Sequence, residues 1–253
     1  MRFVNFTICQ LYNKATSMTI NVDPGSIRVA VFFEATGTVR RALADLGFDA
    51  WSIDLRPASD GSNKHIVGDA RDHLHDGWHF IVVCHPPCTR LCRSGRRWLS
   101  GKGKMTPPKS LPRGRTWESL QQEFEEAVDL FSTFWKAPVP HIAIENPRMH
   151  DLAIDRMPAD LPKPDVVQPF WFGDPEYKAT GWYLKNLPPL METNRLKEPE
   201  RDTPEWKAWN RVHRMARSKT RGLERSRFFP GMAAALAQQW GDTVLQYAAK
   251  QAA

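Results

Sequence analysis

Residues 27–55, IRVAVFFEATGTVRRALADLGFDAWSIDL, predict a strand, a helix and a second strand in succession. The continuous apolar run at 27–33 is typical of a strand that is buried on both faces of a sheet. A turn at Gly37 precedes the helical segment VRRALADL, and Gly47 ends that helix. The second strand, WSIDL at 51–55, ends close to an acid. This order favours two parallel strands joined by a crossover helix.

The same alternation continues along the chain. Further strand candidates lie at 65–72, 79–84 and 140–146. Apolar residues recur every three or four positions over 117–135, which predicts an amphipathic helix with Thr116 as its N-cap. We therefore expect an α/β domain with a mostly parallel, Rossmann-like sheet, helices on both of its faces, and a small irregular C-terminal annex. In such sheets, ligands bind beyond the carboxyl ends of the strands.

Length and composition limit the class of protein. The 253 residues are 42% apolar and 25% charged, which is enough for one sizeable core and excludes global disorder. No apolar run approaches the ~18 residues of a membrane helix, and the start of the chain lacks the apolar centre of a secretory signal. We therefore expect no membrane partner and no export. Four cysteines are too few for a disulfide scaffold, which indicates a reducing cytoplasm.

Composition also divides the chain into four predicted segments. An N-terminal extension at 1–26 lacks clear periodicity, and a core domain follows at 27–184. Prolines break the chain after the fifth strand into short extended pieces and turns, and 186–227 contains no convincing strand pair or long apolar helix. We therefore expect a short basic insert at 185–227. The Ala-rich segment at 228–253 predicts a helix that packs back on the core.

Basic residues are concentrated in two stretches. Lys and Arg number 35 against 28 acids, a net charge of +7. Nine of the basic residues lie at 90–115, where there is no acid, and eight lie at 207–227, where Glu224 is the single acid. The rest of the chain is therefore acidic. This distribution favours a polyanionic partner such as nucleic acid, which the insert at 185–227 would contact; the alternative is two solvated basic loops.

The segment FFEATGTVRRAL at 32–43 predicts a ligand site. A buried strand, a tight turn and a helix N-terminus bring backbone N–H groups together at one point. Asp54 near the end of the next strand could accept hydrogen bonds from ribose hydroxyls, and Asp69 after the third strand suits an adenine amino group. Alternatively, these acids only cap the ends of their strands.

The segment VVCHPPCTRLCRSGRRWL at 82–99 predicts a nucleophile. A buried strand leads into a rigid Pro-Pro turn and then to Cys88. We expect Arg90 and Arg93 to form an electropositive setting that lowers the pKa of this thiol. Cys88 is therefore the candidate nucleophile of the chain.

The cysteines of this segment also have a spacing that invites a metal site. Cys84, Cys88 and Cys92 are four residues apart, and His85 could complete an iron–sulfur or zinc set. Cys84 lies inside the strand, however, and two prolines separate it from Cys88, which makes convergence on one metal awkward. We expect Cys84 to be a small core residue and the site to hold no metal.

A third segment, IAIENPRMH at 142–150, predicts an acid at the end of the fifth strand. The strand delivers Glu145 to its carboxyl end, and Asn146-Pro147 halts the strand. A carboxylic acid there could hydrogen-bond or protonate a nitrogen of a heterocycle. Alone, the segment could be a turn with a satisfied acid, but it coincides with a thiol at the end of the previous strand.

Taken together, these segments resemble the DNA cytosine-5 methyltransferases, over nearly the whole chain from 27 to 242. The similar segments are FEATGT at 33–38, Asp54, Gly68-Asp69, Pro86-Pro87-Cys88-Thr89 with Ser94-Gly95, Glu145-Asn146-Pro147, FGDPEYKATGWYL at 172–184 and RFFPGMAAALAQQWGD at 227–242. They follow the family's order from cofactor loop to catalytic loop.

The chain departs from the family pattern in three ways. Only Gly37 remains of the glycines of the cofactor loop, and Lys178 and Thr180 stand where the family has spaced arginines. No large target-recognition domain fits between Tyr183 and Arg227. The missing domain implies a weak sequence preference. The chain is similar to compact phage-encoded members of the family, which would place the protein in a host cytoplasm.

The resemblance implies a methyltransferase that uses S-adenosyl-L-methionine, with a Rossmann-like fold and DNA as its partner. Cys88 would add to carbon 6 of cytosine and Glu145 would stabilise a proton at N3, so that carbon 5 takes the methyl group. The cofactor would be bound by Phe33, Glu34, Thr36, Gly37, Thr38, Asp54, Asp69 and Pro86. The substrate would be contacted by Asn146, Arg90, Arg93, Arg96, Arg97, Lys178, Arg211 and Arg214, with the basic loop at 90–115 as a mobile lid.

Three alternatives stay open. The amino-methyltransferases also have a Pro-Pro loop, but an aromatic residue follows it where this chain has Cys88. The same chemistry could act on a pyrimidine in RNA or in a free nucleotide. A relative that binds nucleic acid without catalysis would keep the scaffold, although it would need neither a thiol nor a nearby acid.

Overall fold

A mostly parallel sheet forms the centre of the fold, as the alternation of strands and helices predicts. The computed structural model describes residues 22–99, 105–216, 218, 224–225 and 227–252. Within these residues the strands are β1 (Arg28–Phe32), β2 (Asp49–Asp54), β3 (His65–Val67), β4 (Phe80–Val83), β5 (His141–Glu145), β6 (Asp165–Val167) and β7 (Thr180–Lys185). The strand order is β3-β2-β1-β4-β5-β7-β6. Strands β1 to β5 pair in parallel, and β7 runs antiparallel to β5 and β6.

Helices lie between the strands and after the last of them. The α-helices are α1 (Thr38–Ala44), α2 (Trp117–Trp135), α3 (Asp151–Ile154), α4 (Pro204–Trp209), α5 (Arg211–Arg214) and α6 (Pro230–Ala252). Short 3₁₀ turns cover Pro24–Ser26, Ala70–His73, Arg96–Trp98 and Pro169–Trp171.

The long helix α2 has the bounds that the sequence predicts. The Thr116 hydroxyl accepts a hydrogen bond of 3.1 Å from the Ser119 N–H, and the Ser119 hydroxyl accepts one of 3.1 Å from the Thr116 N–H. This reciprocal capping box satisfies two backbone donors that the helix itself leaves free. Thr116 is therefore the N-cap, as predicted.

Both faces of the sheet are covered by helices. On one face, Phe134 of α2 packs edge-on against Phe32 of β1, with ring centroids 4.9 Å apart. On the other face, α1 and α6 pack together, and Trp240 of α6 lies 5.1 Å from the ring of Trp182 in β7. Neighbouring residues of a buried strand therefore enter two separate cores. This arrangement is the mostly parallel, Rossmann-like α/β sheet with helices on both faces that the sequence predicts.

The structure corrects the prediction for the chain after the fifth strand. The sequence indicates only short extended pieces and turns there, whereas β7 is a strand that pairs with β5 and β6. Trp182 enters one core and Tyr183 the other. Gly181 allows this close packing, because a Cβ there would lie 2.6 Å from the Asn146 carbonyl oxygen. A glycine in the strand and prolines before and after it obscure its pattern in the sequence.

The remaining segments pack on this core. In α4, Trp209 lies 5.9 Å from the ring of Phe170 and 5.4 Å from that of Tyr177, which attaches the start of the basic insert to the segment before β7. The division at 1–26, 27–184, 185–227 and 228–253 stays a prediction, since residues 1–21 and parts of the insert lie outside the described residues. None of the described helices combines the length and apolarity that crossing a bilayer requires.

Candidate active site

Cys88 and Glu145 line one cavity at the carboxyl ends of β4 and β5. Its volume is about 1040 Å³, which is large enough for a nucleotide. The two strands are parallel neighbours, with Val83 opposite Ile144, so the residues that follow both strands reach the same edge of the sheet. The structure therefore brings the candidate nucleophile and the candidate acid together.

The loop that carries Cys88 is fixed to the loop that carries Glu145. The Cys88 carbonyl accepts a hydrogen bond of 3.0 Å from the Cys92 N–H, which forms one helical turn after the Pro-Pro segment. At the end of this turn the Arg93 N–H donates a hydrogen bond of 3.2 Å to the Arg148 carbonyl. The two side chains are therefore held by backbone contacts between their own loops.

Gly95 permits the tight fold of the Cys88 loop. A Cβ at this position would lie 2.1 Å from the carbonyl oxygen of Thr89 and 3.2 Å from that of Cys92. We expect Gly95→Ala to displace the turn, to destabilise the protein by about 1–3 kcal/mol and to change the rate at which iodoacetamide labels Cys88. Thermal unfolding and labelling measure both effects, with the exposed neighbour in Ser94→Ala as control. Equal melting temperatures for the two variants would contradict this packing.

Glu145 is a buried acid whose pKa lies near neutrality. Its side chain is 5% exposed, and burial raises its pKa from 4.5 to about 7, while the charge of Lys178 acts in the opposite direction. Among the described residues, no group donates a hydrogen bond to its carboxyl oxygens. A carboxyl group in this state can donate a hydrogen bond or a proton to a ligand in the cavity.

The Cys88 thiol is protonated, which corrects the expectation from the sequence. Burial raises its pKa to about 12, and the charge of Glu145 adds to this shift. The predicted electropositive setting is not formed by Arg90, because its guanidinium is turned away and pairs with Glu123 at 2.8 Å. Arg93 lines the cavity, but its charge does not offset the effect of burial on the pKa of the Cys88 thiol.

Lys178 supplies positive charge to both reactive groups. It lines the cavity, its ammonium nitrogen lies 5.6 Å from the ring centroid of Phe229, and its charge lowers the pKa of Glu145 and of Cys88. No acid of the described residues forms a salt bridge with it. Lys178 is therefore the cation that partly offsets burial at this site.

We expect Lys178→Met to raise the pKa of both Cys88 and Glu145. The rate of Cys88 alkylation by iodoacetamide at fixed pH should then fall by roughly tenfold, which corresponds to a shift of about one pKa unit. Peptide mass spectrometry across a pH series measures this rate, and Lys163→Met, outside the cavity, is the charge-matched control. Unchanged alkylation in Lys178→Met would exclude an electrostatic role for this residue.

Other residues in the cavity wall are not among the predicted catalytic or cofactor-binding residues, and the sequence indicated His85 only as a possible metal ligand. They are His85, Arg148, Gln168, Tyr177, His213 and Arg225, among others. Nε2 of His85 and Oε1 of Gln168 are buried and have no hydrogen-bond partner among the described residues, which is unusual for polar atoms unless a ligand or water meets them. Burial lowers the pKa of His85 well below its ordinary value, so this ring is neutral. Its position directly before the Pro-Pro turn is the sequence feature that could have indicated it.

The predicted basic insert forms one wall of the cavity. The Val212 N–H donates a hydrogen bond of 3.2 Å to Oε1 of Glu176, and the Arg211 guanidinium pairs with the same oxygen at 3.3 Å. These contacts attach α5 to the segment before β7 and bring His213 to the cavity. The insert is thus part of the site.

The predicted cofactor loop has an unusual backbone. Phe33 has a φ of 58°, in a left-handed region that bulky residues rarely adopt, and its N–H donates a hydrogen bond of 2.8 Å to the Ile53 carbonyl. Gly37 follows with a φ of 67°. Strained residues of this kind concentrate at functional sites, which supports Phe33 as part of a ligand site.

Glu34 occupies the N-terminus of α1. Its carboxylate accepts hydrogen bonds of 2.7 Å from the Val39 N–H and 3.1 Å from the Arg40 N–H. The Thr36 hydroxyl lies 3.5 Å from the same carboxylate and 3.3 Å from the Thr38 hydroxyl. The two backbone N–H groups that would face a ligand are therefore bonded within the protein.

The two acids at the ends of β2 and β3 are each paired with an arginine two residues further on. Asp54 accepts hydrogen bonds of 3.0 and 3.2 Å from the Arg56 guanidinium, and Asp69 accepts bonds of 3.3 and 3.1 Å from the Arg71 guanidinium. Hydrogen bonds from Arg71 lower the pKa of Asp69. A ligand hydroxyl or amino group would have to share these carboxylates with the arginines.

A second cavity of about 530 Å³ lies on the other side of the Cys88 loop. It is lined by Arg71, Pro87, Thr89, Arg90, Glu123, Glu126, Ala127 and Leu130. Pro87 and Thr89 also line the first cavity, so the Cys88 loop forms a wall shared by both. None of the predicted cofactor residues lines this second cavity. Asp69 is joined to it through Arg71, which is part of its wall. Pro86 lines the first cavity.

The residues predicted to contact nucleic acid are dispersed. Arg93 and Lys178 line the first cavity. The others have the following positions: Arg90 is buried and paired with Glu123, Arg96 pairs with Asp151, the Arg97 guanidinium lies 4.7 Å from the Trp98 ring, Arg211 pairs with Glu176, and Arg214 is exposed. Asn146 is fully buried and its amide donates a hydrogen bond of 2.6 Å to the Pro147 carbonyl, so it shapes the loop. The lid predicted at 90–115 includes residues 100–104, which lie outside the described residues.

The cysteines in the described part of the chain are free. Cys84 is fully buried in the core on the α6 side of the sheet, whereas Cys88 and Cys92 line the cavity. No group of three or more His, Cys, Asp or Glu within the described ranges is placed to hold a metal ion.

Comparison with known proteins gives only distant likenesses. No family model and no curated protein matches the chain. Among solved structures, an E. coli prophage-encoded protein assigned as a DNA modification methyltransferase matches 63% of this chain and 46% of its own, with a TM-score of 0.38 and 17% identity. A mutant of DNMT2 from Spodoptera frugiperda matches 69% of this chain and 56% of its own, with a TM-score of 0.36 and 14% identity. This chain therefore spans about half the length of these structures.

Proposed function

We propose that this protein is an S-adenosyl-L-methionine-dependent methyltransferase that modifies carbon 5 of cytosine in DNA through a covalent adduct with Cys88. The observation that carries the proposal is that the Cys88 thiol and the buried Glu145 carboxyl group line one cavity on hydrogen-bonded loops. The resemblance of both loops to the DNA cytosine-5 methyltransferases supports cytosine as the target.

In this proposal Cys88 and Glu145 act on opposite edges of one pyrimidine. Carbon 5 of cytosine is not nucleophilic enough to take a methyl group unaided. The proton of the Cys88 thiol first passes to the Glu145 carboxylate. The thiolate then forms a bond to carbon 6 while that proton passes from Glu145 to N3, which makes the ring an enamine with a nucleophilic carbon 5. After methylation, carbon 5 loses its proton to solvent, the electron pair of the sulfur–carbon bond returns to sulfur, and N3 returns its proton to Glu145. The pKa of Glu145, about 7, suits this exchange near neutrality.

The residues at the cofactor edge fit S-adenosyl-L-methionine in part. When bound, this cofactor supplies an electrophilic methyl group. Asp54 and Asp69 offer carboxylates suited to ribose hydroxyls and an adenine amino group, provided that Arg56 and Arg71 share them. The N-terminus of α1 does not fit the cofactor's carboxylate, because Glu34 already takes its N–H groups.

DNA as substrate agrees with the charge around the first cavity. Its described lining includes Arg93, Arg148, Lys178 and Arg225, against Glu145 as the single acid. A cytosine in a duplex has to leave the base stack to reach Cys88, at a cost of a few kcal/mol. Contacts to phosphates would hold the strand without reading base edges, which is the basis for the weak sequence preference proposed here.

Mass spectrometry of nucleosides tests the proposed reaction. Unmethylated DNA is incubated with the protein and methyl-labelled S-adenosyl-L-methionine and then digested. The expected product is labelled 5-methyldeoxycytidine, absent without protein. Label on the exocyclic amine would contradict adduct chemistry and favour an amino-methyltransferase, and label only in parallel reactions with RNA or dCTP would contradict DNA as substrate.

A further inference from the structure

The arginines near the two catalytic loops fall into two groups. Arg90 and Arg96 pair with acids, Glu123 and Asp151 respectively. Arg93 and Arg148 form no ion pair with any acid among the described residues, and both are exposed. A pair of arginines without acidic partners retains its charge for an external anion.

Backbone contacts keep Arg93 and Arg148 next to each other. Arg93 lies on the loop of Cys88, and its N–H donates a hydrogen bond of 3.2 Å to the Arg148 carbonyl. The preceding residue, Cys92, forms an isolated antiparallel β-bridge with Met149. The two guanidinium groups therefore start from adjacent points of a fixed backbone.

Both arginines also line the cavity that holds Cys88 and Glu145. Glu145 is the acid of this cavity among its described lining residues, and with a pKa of about 7 it carries little charge below neutrality. An anion bound by Arg93 and Arg148 would therefore meet little repulsion from the catalytic acid.

We propose that Arg93 and Arg148 form a phosphate site at the cavity, which binds the phosphodiester next to the base that Cys88 attacks. A guanidinium presents its N–H donors in a planar fork that matches two phosphate oxygens, and two such groups on joined loops can hold one phosphate from two sides. The proposal rests on the proposed function, in that the base of the same nucleotide enters the cavity. It adds that the substrate is recognised as a nucleotide within a strand and not as a free base or nucleoside.

The double variant Arg93→Gln/Arg148→Gln tests this site by binding alone. The probe is a fluorescent 12-nucleotide single strand with one central cytosine, and its Kd is measured by anisotropy at several salt concentrations without cofactor. Loss of the one phosphate that the two arginines hold should lower the slope of log Kd against log salt by about 0.7 and weaken binding at least about tenfold at low salt. The matched control Arg156→Gln/Arg201→Gln changes the same charge at exposed arginines outside the cavity and should change Kd less than about twofold.

A neutral phosphate in the probe locates the contact. A methylphosphonate on either side of the target cytosine removes one phosphate charge, and at one of these positions it should weaken binding to the wild-type protein but not to the double variant. Arg93→Lys/Arg148→Lys, which keeps charge but not the planar fork, should have an intermediate Kd. Titration with dCMP and deoxycytidine compares a free nucleotide with its nucleoside, and stronger binding of dCMP should also depend on the two arginines.

Two outcomes would overturn the site. A double variant that binds as tightly as the control, or that stays fully sensitive to the methylphosphonate, would place the phosphate elsewhere. Failure of this site is distinguishable from failure of the proposed function. If the double variant loses binding and the wild type transfers no methyl group, the phosphate site is supported and the proposed reaction is contradicted. If the double variant binds normally and methyl transfer is normal, the reaction is supported and the phosphate site is contradicted.

Discussion

Replacement of Cys88 by alanine is expected to lower methyl transfer at least about 10³-fold, the scale on which covalent enzymes lose turnover without their nucleophile. Without sulfur no bond to carbon 6 forms, and carbon 5 stays unreactive. Transfer of label from S-adenosyl-L-methionine to cytosine in DNA measures the loss, and thermal unfolding verifies that the variant is folded. DNA affinity should stay near the wild-type value, because alanine removes no charge.

The neighbouring thiol provides the control for this experiment. Cys92 lines the same cavity, but its sulfur lies 3.1 Å from the Ser94 hydroxyl, and a serine at position 92 could keep that contact. We expect Cys92→Ser to retain turnover within about threefold, a small effect for a side chain outside the chemistry. Equal losses in both variants, or substantial turnover in Cys88→Ala, would remove Cys88 from the role of nucleophile.

The second large effect is expected for Glu145→Gln, with a loss of turnover of at least about 10²-fold. Glutamine keeps the shape and the burial of the side chain but cannot transfer a proton to N3. Steady-state kinetics should record the loss mainly in kcat, because the proton is needed as the adduct forms. Glu118→Gln, in the first turn of α2 and outside the cavity, is the control.

The pH dependence of the reaction separates this role from a merely structural one. The reactive pair carries one proton on Glu145 and one negative charge on Cys88. Moving this proton between Glu145 and Cys88 leaves the total charge of the pair at −1. With pKa values of about 7 for Glu145 and about 12 for Cys88, the pair carries this total charge from about pH 7 to about pH 12. The wild-type kcat/KM should therefore fall about tenfold per pH unit below this range and be level within it. A profile without a break near pH 7, or the same break in Glu145→Gln, would exclude Glu145 as the titrating group.

Glu145 also links stability to pH. Its pKa is raised from 4.5 to about 7 in the folded protein, so the folded state binds this proton more tightly than the unfolded state. The contribution of the Glu145 proton to the free energy of unfolding is fully present below about pH 4.5 and is lost as the pH rises through about 7. Between these values the melting temperature of the wild type should fall relative to that of Glu145→Gln. If the melting temperatures of the wild type and of Glu145→Gln change with pH in parallel, the Glu145 carboxyl group is solvated in the folded protein.

The central fold could be predicted from sequence because its elements have strong local patterns. The apolar run that becomes β1 and the three- and four-residue spacing along α2 each indicate one structure, and Thr116 marks the start of α2. Strand β7 could not be predicted in the same way. Its pairing with β5 and β6 is a long-range contact, and Gly181 and nearby prolines weaken its local pattern.

In the candidate site, chain position indicated which side chains meet, but not their charge state. Parallel neighbouring strands bring Cys88 and Glu145 to one edge, so their proximity follows from the strand assignments. The thiol pKa depends on where arginine side chains point, and Arg90 turns to Glu123, far along the chain. Sequence gives the number of charges in a loop and leaves their partners undetermined.

The cofactor edge illustrates the same limit. The strand, turn and helix that predict a ligand site are present, with a left-handed Phe33 and Gly37. Whether the helix N-terminus faces a ligand depends on the Glu34 side chain, which instead accepts the hydrogen bonds of that terminus. The sequence pattern that predicts the helix is the same whether the Glu34 side chain accepts hydrogen bonds from the helix N-terminus or leaves its N–H groups free for a ligand.

The most direct test of the proposed mechanism is to trap the covalent bond between Cys88 and cytosine. DNA with 5-fluorocytosine blocks loss of the group at carbon 5, so after methyl transfer the bond between Cys88 and carbon 6 should persist. We predict a stable protein–DNA adduct that requires S-adenosyl-L-methionine, maps to the peptide with Cys88, and is absent in Cys88→Ala. Methyl transfer to cytosine without any such adduct, or an adduct at another residue, would contradict the claim that Cys88 and Glu145 act together on one pyrimidine.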